Sequence, residues 1–243
     1  MNLLAIETST EACSVALLCG SDMQTDHRMA AQQHGRLVLP MIDELMAHSG
    51  LSVAQLDGVV FGCGPGSVTG VRIAVALTQG IALGADVGVV GISTMNTVAQ
   101  GAHRVYGDQH LAISLDARMG EVYFAAYTLS EESVMRAVTE EFLCAPEKLP
   151  ELDGNTPWQW AGTGAERYTD ILLEHYHVEG DSIRADVWPD AQDLISLAIP
   201  KVQRGELQAC ETAMPVYLRN KVADTTAERE FAKKAKIQLR GAN

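Results

Sequence analysis

Two short stretches carry residue types that can bind a phosphate. The loop Gly62-Cys63-Gly64-Pro65-Gly66-Ser67-Val68-Thr69-Gly70 falls between an apolar run of strand character and one of helical character. Backbone amides and the helix dipole at such a junction attract anions. Upstream, Glu7-Thr8-Ser9-Thr10-Glu11 places carboxylates and hydroxyls at the end of the first apolar run, an arrangement suited to phosphate and magnesium. Together these stretches offer Glu7, Thr8, Ser9, Gly64, Gly66, Ser67 and Thr69 as nucleotide or phosphate contacts. Each stretch also has a plainer use. The glycines at 64, 66 and 70 miss the GxGxxG spacing, and Val71-Arg72 stands where a Walker loop needs Lys-Ser/Thr. The loop then reads as a tight crossover with Ser67 or Thr69 as helix N-cap, and hairpin turns draw on the same hydroxyl and acidic residues as the first stretch.

Other chemistries find little support. The histidines (27, 34, 48, 103, 110, 175 and 177) include no pair at i, i+4, and His175 and His177 would point to different sides of a helix, so no metal site is expected. There is no GxSxG elbow for a serine nucleophile. The five cysteines (13, 19, 63, 144 and 210) are odd in number and lack CxxC spacing, which argues against a disulfide framework or a zinc site and fits a reducing cytoplasm.

The elements that would position these residues read as two successive α/β units. Strands are expected at 3–6, 13–19 and 24–29, then a helix over 37–47 that Pro40 must open or bend. A strand at 58–61, a helix over 71–84, a strand at 87–91 and a helix from Ser93 or Thr94 complete the order βββαβαβα. A second meander follows, with strands at 110–115, 122–127 and 136–142, a fourth strand at 158–161, and helices near 165–176 and 190–204. This gives an N-terminal lobe over 1–106, completed by 215–223, a second lobe over 107–214, and a basic tail over 224–243. Within the tail, Phe231, Ala235 and Leu239 recur at i, i+4, i+8, the pattern of an amphipathic helix, although a solvated terminus fits equally.

Two of these helices carry more apolar surface than one stripe requires. Between 37 and 46, Leu37, Met41 and Leu45 form one candidate stripe, while Val38 and Ile42, with Leu45 shared, form another. One stripe would face the core and the other a protein partner. The helix over 71–84, with Ala74, Leu77 and Ile81, is apolar nearly all round, and its small residues would let another helix approach closely.

Bulk properties set limits on function. The 243 residues are 47% apolar, 20% charged and 5% aromatic, the composition of a globular protein with an aliphatic core. The formal charge is −13, and the stretch 227–243 carries five Lys/Arg against two Glu, which leaves the rest at −16. Such a body repels phosphate, so any nucleic acid would be met only indirectly, through another subunit. The start, Met1 to Ile6, has no basic stretch or cleavage site, and the longest apolar run, 81–92, is interrupted by Asp86; neither a signal peptide nor a membrane span is expected.

Five segments together, LLAIETSTEACSVAL (3–17), FGCGPGSVTGVRIAVALTQGIALG (61–84), VGISTM (90–95), LDARMGEVYFAAY (115–127) and PVYLR (215–219), resemble the bacterial TsaB (YeaZ) family of threonylcarbamoyladenosine biosynthesis proteins. Residues 129–214 resemble it only in length and element order. The resemblance implies an α/β, two-lobed actin-like ATPase fold (sugar kinase/Hsp70, RNase H-like) with mixed sheets flanked by helices. It implies a catalytic paralogue, TsaD, and an ATPase, TsaE, as partners, with ATP used by the complex and no cofactor bound by this chain alone. It also implies a subunit required for threonylcarbamoylation of adenosine 37 in tRNAs reading codons that begin with A, without itself transferring the group. The interface residues expected on that basis are Leu37, Val38, Met41, Ile42, Leu45, Ala74, Leu77 and Ile81, shared with a homodimer of the isolated chain.

The resemblance further implies a metal-binding HxxxH in the catalytic paralogue, where this chain has Ser93 to Gln100 without a histidine. Glu7 likewise replaces the Asp usual in the first strand of active members. A catalytic chain, metallopeptidase-like or kinase-like, is the alternative, and it needs ligands that the sequence does not offer.

Overall fold

The computed structural model describes residues 1–219; the expected tail helix and residues 220–223 of the first lobe lie outside the described residues. The chain opens with an antiparallel meander, β1 (Asn2–Glu7), β2 (Ala12–Cys19) and β3 (Asp22–Met29). β1 and β2 are continuous apolar runs because both of their faces are covered. β3, with the sequence DMQTDHRM, is exposed and charged, as suits the outer strand of a sheet. Helix α1 (His34–Ser49) starts three residues before the expected span and accommodates Pro40 on its exposed side. It ends on Gly50 in the left-handed region at φ +68°.

A parallel crossover follows: β4 (Gly58–Gly62), α2 (Val68–Ala85) and β5 (Val89–Ile92), then α3 (Thr94–Tyr106). Leu4 of β1 pairs antiparallel with Leu17 and parallel with Val59, so β1 is the centre from which both pairing senses spread. Ser67 caps α2, its side chain accepting from Gly70 N, and Ser93 caps α3.

The second half repeats this plan. β6 (His110–Arg118) and β7 (Glu121–Leu129) form a long hairpin. The single strand expected at 136–142 is instead two short ones, β8 (Met135–Ala137) and β9 (Phe142–Cys144), both pairing with β7. Between them Thr139 Oγ1 takes the Ala126 amide, and Glu141 turns inward to the hydroxyls of Tyr127 and Ser93, which interrupts the ladder. β10 (Gln159–Ala161) pairs parallel with β6 and with β11 (Ile183–Arg184). The helix expected at 165–176 breaks at Tyr168 into α4 (Thr163–Arg167) and α5 (Thr169–His175). α6 (Ala191–Gln203) is the last α-helix of the described residues.

The sheet orders β3-β2-β1-β4-β5 and β8-β7-β6-β10-β11 are the same topology twice. α1 and α2 cover the outer face of the first sheet with Val38, Met41, Ile42, Leu45, Val71 and Ala74. α6 comes from the second half of the chain but packs on the first sheet's inner face, with Leu194, Ile195 and Ala198 against Leu3, Ala5, Val60 and Val90. α3 faces the second sheet, where Met95, Val98 and Ala102 meet Leu111, Ile113 and Tyr127. The layers thus run helices, sheet, helices, sheet, helices, which is the α/β arrangement of two mixed sheets flanked by helices that the actin-like resemblance implies.

Candidate functional site

A cleft of about 1000 Å³ opens between the ends of the two sheets, where the β1–β2 and β6–β7 turns meet. Its walls are the β1–β2 turn, the N-terminal end of α2, the β6–β7 turn, α4 and the segment 216–219. The glycines of the loop after β4 make this approach possible. A Cβ on Gly66 would collide with Ser9 O, and one on Gly70 with Thr8 O. Ser67 N donates to Ser9 O (2.7 Å) and Thr8 Oγ1 donates to Gly70 O (2.7 Å), so the turn and the helix start are one hydrogen-bonded unit.

Of the seven sequence-derived contact residues, the structure brings Ser9, Gly66, Ser67 and Thr69 to the cleft wall. The Ser9 hydroxyl is buried there without a hydrogen-bond partner. The other three are elsewhere. Thr8 is fully buried, and Gly64 packs against Val71 and Val216 O. Glu7 lies fully buried behind the turn, its Oε1 accepting from Ser9 N (2.7 Å) and its Oε2 from Thr94 Oγ1 (3.4 Å). Burial pushes its carboxyl above the ordinary 4.5, against the pull of the hydrogen bonds from Ser9 and Thr94.

The charged groups at the cleft mouth are largely paired. Arg118 reaches Glu11 across the opening (2.9 Å), Asp116 lies 3.3 Å from both Arg118 and Arg167, and Arg219 holds Glu121 at 2.6 Å. Cys63, beside the loop, is pushed up to about 12 by burial and then by the Glu141 and Glu7 carboxylates, so its thiol is no nucleophile at neutral pH. Among the described residues, no three His, Cys, Asp or Glu side chains are grouped to hold a metal ion.

The second feature is the outer helical layer. Val38, Met41, Ile42 and Leu45 of α1 are all buried in the chain's own core, together with Met46, and Leu37 is half-buried. The two stripes are therefore not one for the core and one for a partner, because α1 sits deeply enough on the sheet to bury both. The surplus lies on α2. Ala74 is buried, Ile73, Leu77 and Ile81 are half-buried, and Val68, Ala76, Gly80 and Leu83 are exposed, Leu83 to 73%. α2 is long and apolar enough to cross a membrane by length and composition, yet only 33% of it is buried. It joins two hydrogen-bonded parallel strands and lays one face on their sheet, so it is no membrane span.

Sequence reasoning missed Leu83, Val68 and the Arg118–Glu11 bridge. The first two lay in an apolar run that periodicity could not orient; the last joins residues 107 positions apart and leaves no local signal.

Comparison with known proteins gives one consistent result. The family model described as TsaD, tRNA N6-adenosine threonylcarbamoyltransferase, matches residues 27–225. The tRNA threonylcarbamoyladenosine biosynthesis protein TsaB of Escherichia coli is 38% identical over 227 residues, 92% of this chain and 96% of that protein. The protein of the same name from Haemophilus influenzae is 36% identical, covering 91% and 95%. YeaZ from Pseudomonas aeruginosa superposes with a TM-score of 0.81 at 36% identity, over 89% of this chain and 99% of that one.

Proposed function

The chain belongs to the TsaB family of tRNA threonylcarbamoyladenosine biosynthesis proteins, and from that premise we propose that it is the pathway's non-catalytic scaffold. It docks a catalytic paralogue, TsaD, and with TsaE activates it to place the threonylcarbamoyl group on adenosine 37 of tRNAs reading codons that begin with A. ATP is consumed by the assembly, in the cytoplasm, and the acidic body leaves contact with tRNA to the other subunits.

The observation that carries this reading is α2, a largely apolar helix that leaves Val68, Ala76, Gly80 and Leu83 exposed and Leu77 and Ile81 half-buried on its outer side. Such a face on an isolated chain is covered by another protein surface or remains a liability. Ala76 and Gly80 on it allow a second helix to approach closely. The partner's equivalent helix, on the same fold, is the proposed occupant; a second copy of this chain takes that place when the paralogue is absent. The cleft supports the same reading, since Glu11 and Asp116 at its mouth are held in ion pairs and the nearby acid Glu7 is fully buried.

Reconstitution with TsaD, TsaE, ATP, threonylcarbamoyl-adenylate and tRNA tests the proposal. Omitting this chain should stop modification, and the pure chain should neither transfer the group nor hydrolyse ATP. Transfer or peptidase turnover that tracks the pure chain through successive columns would overturn it in favour of a catalytic member of the fold.

A further inference from the structure

The segment 213–219 touches both sheets within seven residues. Ala213 O accepts from Gln79 Nε2 of α2 (3.0 Å), and Val216 N donates to Cys63 O just after β4 (2.8 Å). Tyr217 OH accepts from Arg72 Nε (2.8 Å), with the guanidinium carbon 5.7 Å from the ring centroid. Leu218 then changes sides and packs on the cluster that α3 shares with the second sheet. Arg219 reaches the β6–β7 turn, pairing with Glu121 (2.6 Å) and donating from Nη2 to Ala117 O (3.0 Å).

The turn it reaches has an unusual backbone. Arg118, Met119 and Gly120 follow one another at φ +64°, +59° and +77°, and two of them carry a Cβ that disfavours this region. Arg219 supplies donors to the carbonyls that this backbone turns outward, Ala117 and, at 3.4 Å, Arg118. From the same turn Arg118 crosses the cleft to Glu11. The cleft mouth is therefore spanned twice, by Arg118 and by the 216–219 segment, and both spans end on one turn.

We infer that residues 213–219 form a clasp that holds the β6–β7 turn at a fixed distance from α2, and that Arg219 is a positioning residue for the modification reaction. It acts through the turn, not on substrate: a partner seated on α2 meets the second sheet in one place, whereas two lobes joined without such ties would hinge. The assignment rests on the scaffold reading above for its effect on turnover, and on this chain alone for the clasp itself.

The test uses full-length Arg219→Ala and Arg219→Lys beside the unaltered chain, with Tyr217→Phe as a milder break at the α2 end. Hydrogen exchange of 115–121 and modification turnover at saturating scaffold are measured with the reconstituted partners. Arg219→Ala should speed exchange of the turn about tenfold and lower saturated turnover about fivefold or more, with the half-saturating concentration unchanged. Lysine keeps a charge for Glu121 and a donor for Ala117 O, so Arg219→Lys should restore both. Tyr217→Phe, which keeps the ring, should shift exchange in the same direction by less, and it decides the question if Arg219→Ala does not fold. Unchanged exchange would remove the clasp. Faster exchange with full turnover at saturation, or a change in half-saturation alone, would remove the positioning role. If the unaltered chain fails to stimulate its partner, the scaffold reading falls, and with it the positioning role, while the exchange comparison still decides the clasp.

Discussion

The carboxyl of Glu7 occupies the place where Gly62 would carry a Cβ. Glu7 and Gly62 end the parallel strands β1 and β4, one residue beyond the last registered pair, Ile6 with Phe61, and the acid accepts from Ser9 N in the β1–β2 turn. Glycine at 62 is thus a packing requirement set by the buried acid. Gly62→Ala should cost about 1–3 kcal/mol through forced displacement of that carboxyl, read as a lower urea midpoint, while Gly84→Ala, open to solvent, should cost nothing.

Glu7 also makes stability depend on pH. Its folded-state pKa is raised above 4.5, chiefly by burial. From pH 4.5 up to that raised value the folded chain keeps a proton that the unfolded chain has lost, so the acid's contribution declines as pH rises through this window. Glu7→Gln should remove the decline. Urea melts at pH 4 and pH 8 should show the variant gaining on the unaltered chain at the higher pH; a constant difference would mean that the acid is not titrating differently in the folded state.

Arg104 and Asp193 tie α3 to α6 between the sheets. The guanidinium donates twice, Nε to Oδ1 (2.8 Å) and Nη2 to Oδ2 (2.9 Å), to a carboxylate with no solvent exposure. Removing the arginine strands a buried charge, so Arg104→Ala should destabilise more than Arg104→Ala/Asp193→Ala does. A double-mutant cycle should give a coupling of about 1–3 kcal/mol; additivity within error would show the pair to be independent.

The central strands of both sheets were legible because apolar runs bounded by Gly, Ser and Asp clusters mark them without tertiary help, whereas the split of 136–142 into β8 and β9 and the two-residue β11 leave no such run. The outward face was not. Periodicity counts the apolar residues of 37–46 but cannot say how deeply the helix settles, and Val38, Met41, Ile42, Leu45 and Met46 all proved to be core. The loop residues divided for a similar reason: Ser9 and Glu7 are two apart on a strand end, yet one reaches the cleft and the other lies buried behind it. Tyr217 meets Arg72, and Arg219 meets Ala117, only through the closed fold.

The outer face of α2 provides the sharpest division between folding and function. Met41 and Val38 are within 1% of complete burial, so a charge at either site breaks the first sheet's core. Ala76 and Leu83 are exposed, seven residues and about two helical turns apart, and so lie on one side of α2. A charge there meets water in the isolated chain and costs the fold little, but it meets apolar side chains once a partner helix is seated. Burying an aliphatic side chain is worth about 1.5–3 kcal/mol, and each 1.4 kcal/mol is about tenfold in affinity. Ala76→Glu/Leu83→Glu should therefore keep the unfolding midpoint of the unaltered chain, bind the catalytic paralogue about a hundredfold more weakly or worse, run as a monomer at concentrations where the unaltered chain self-associates, and fail to support modification. Val38→Glu/Met41→Glu should not fold at all. A folded Ala76→Glu/Leu83→Glu chain that still binds the paralogue at full strength would place the docking surface elsewhere than on α2.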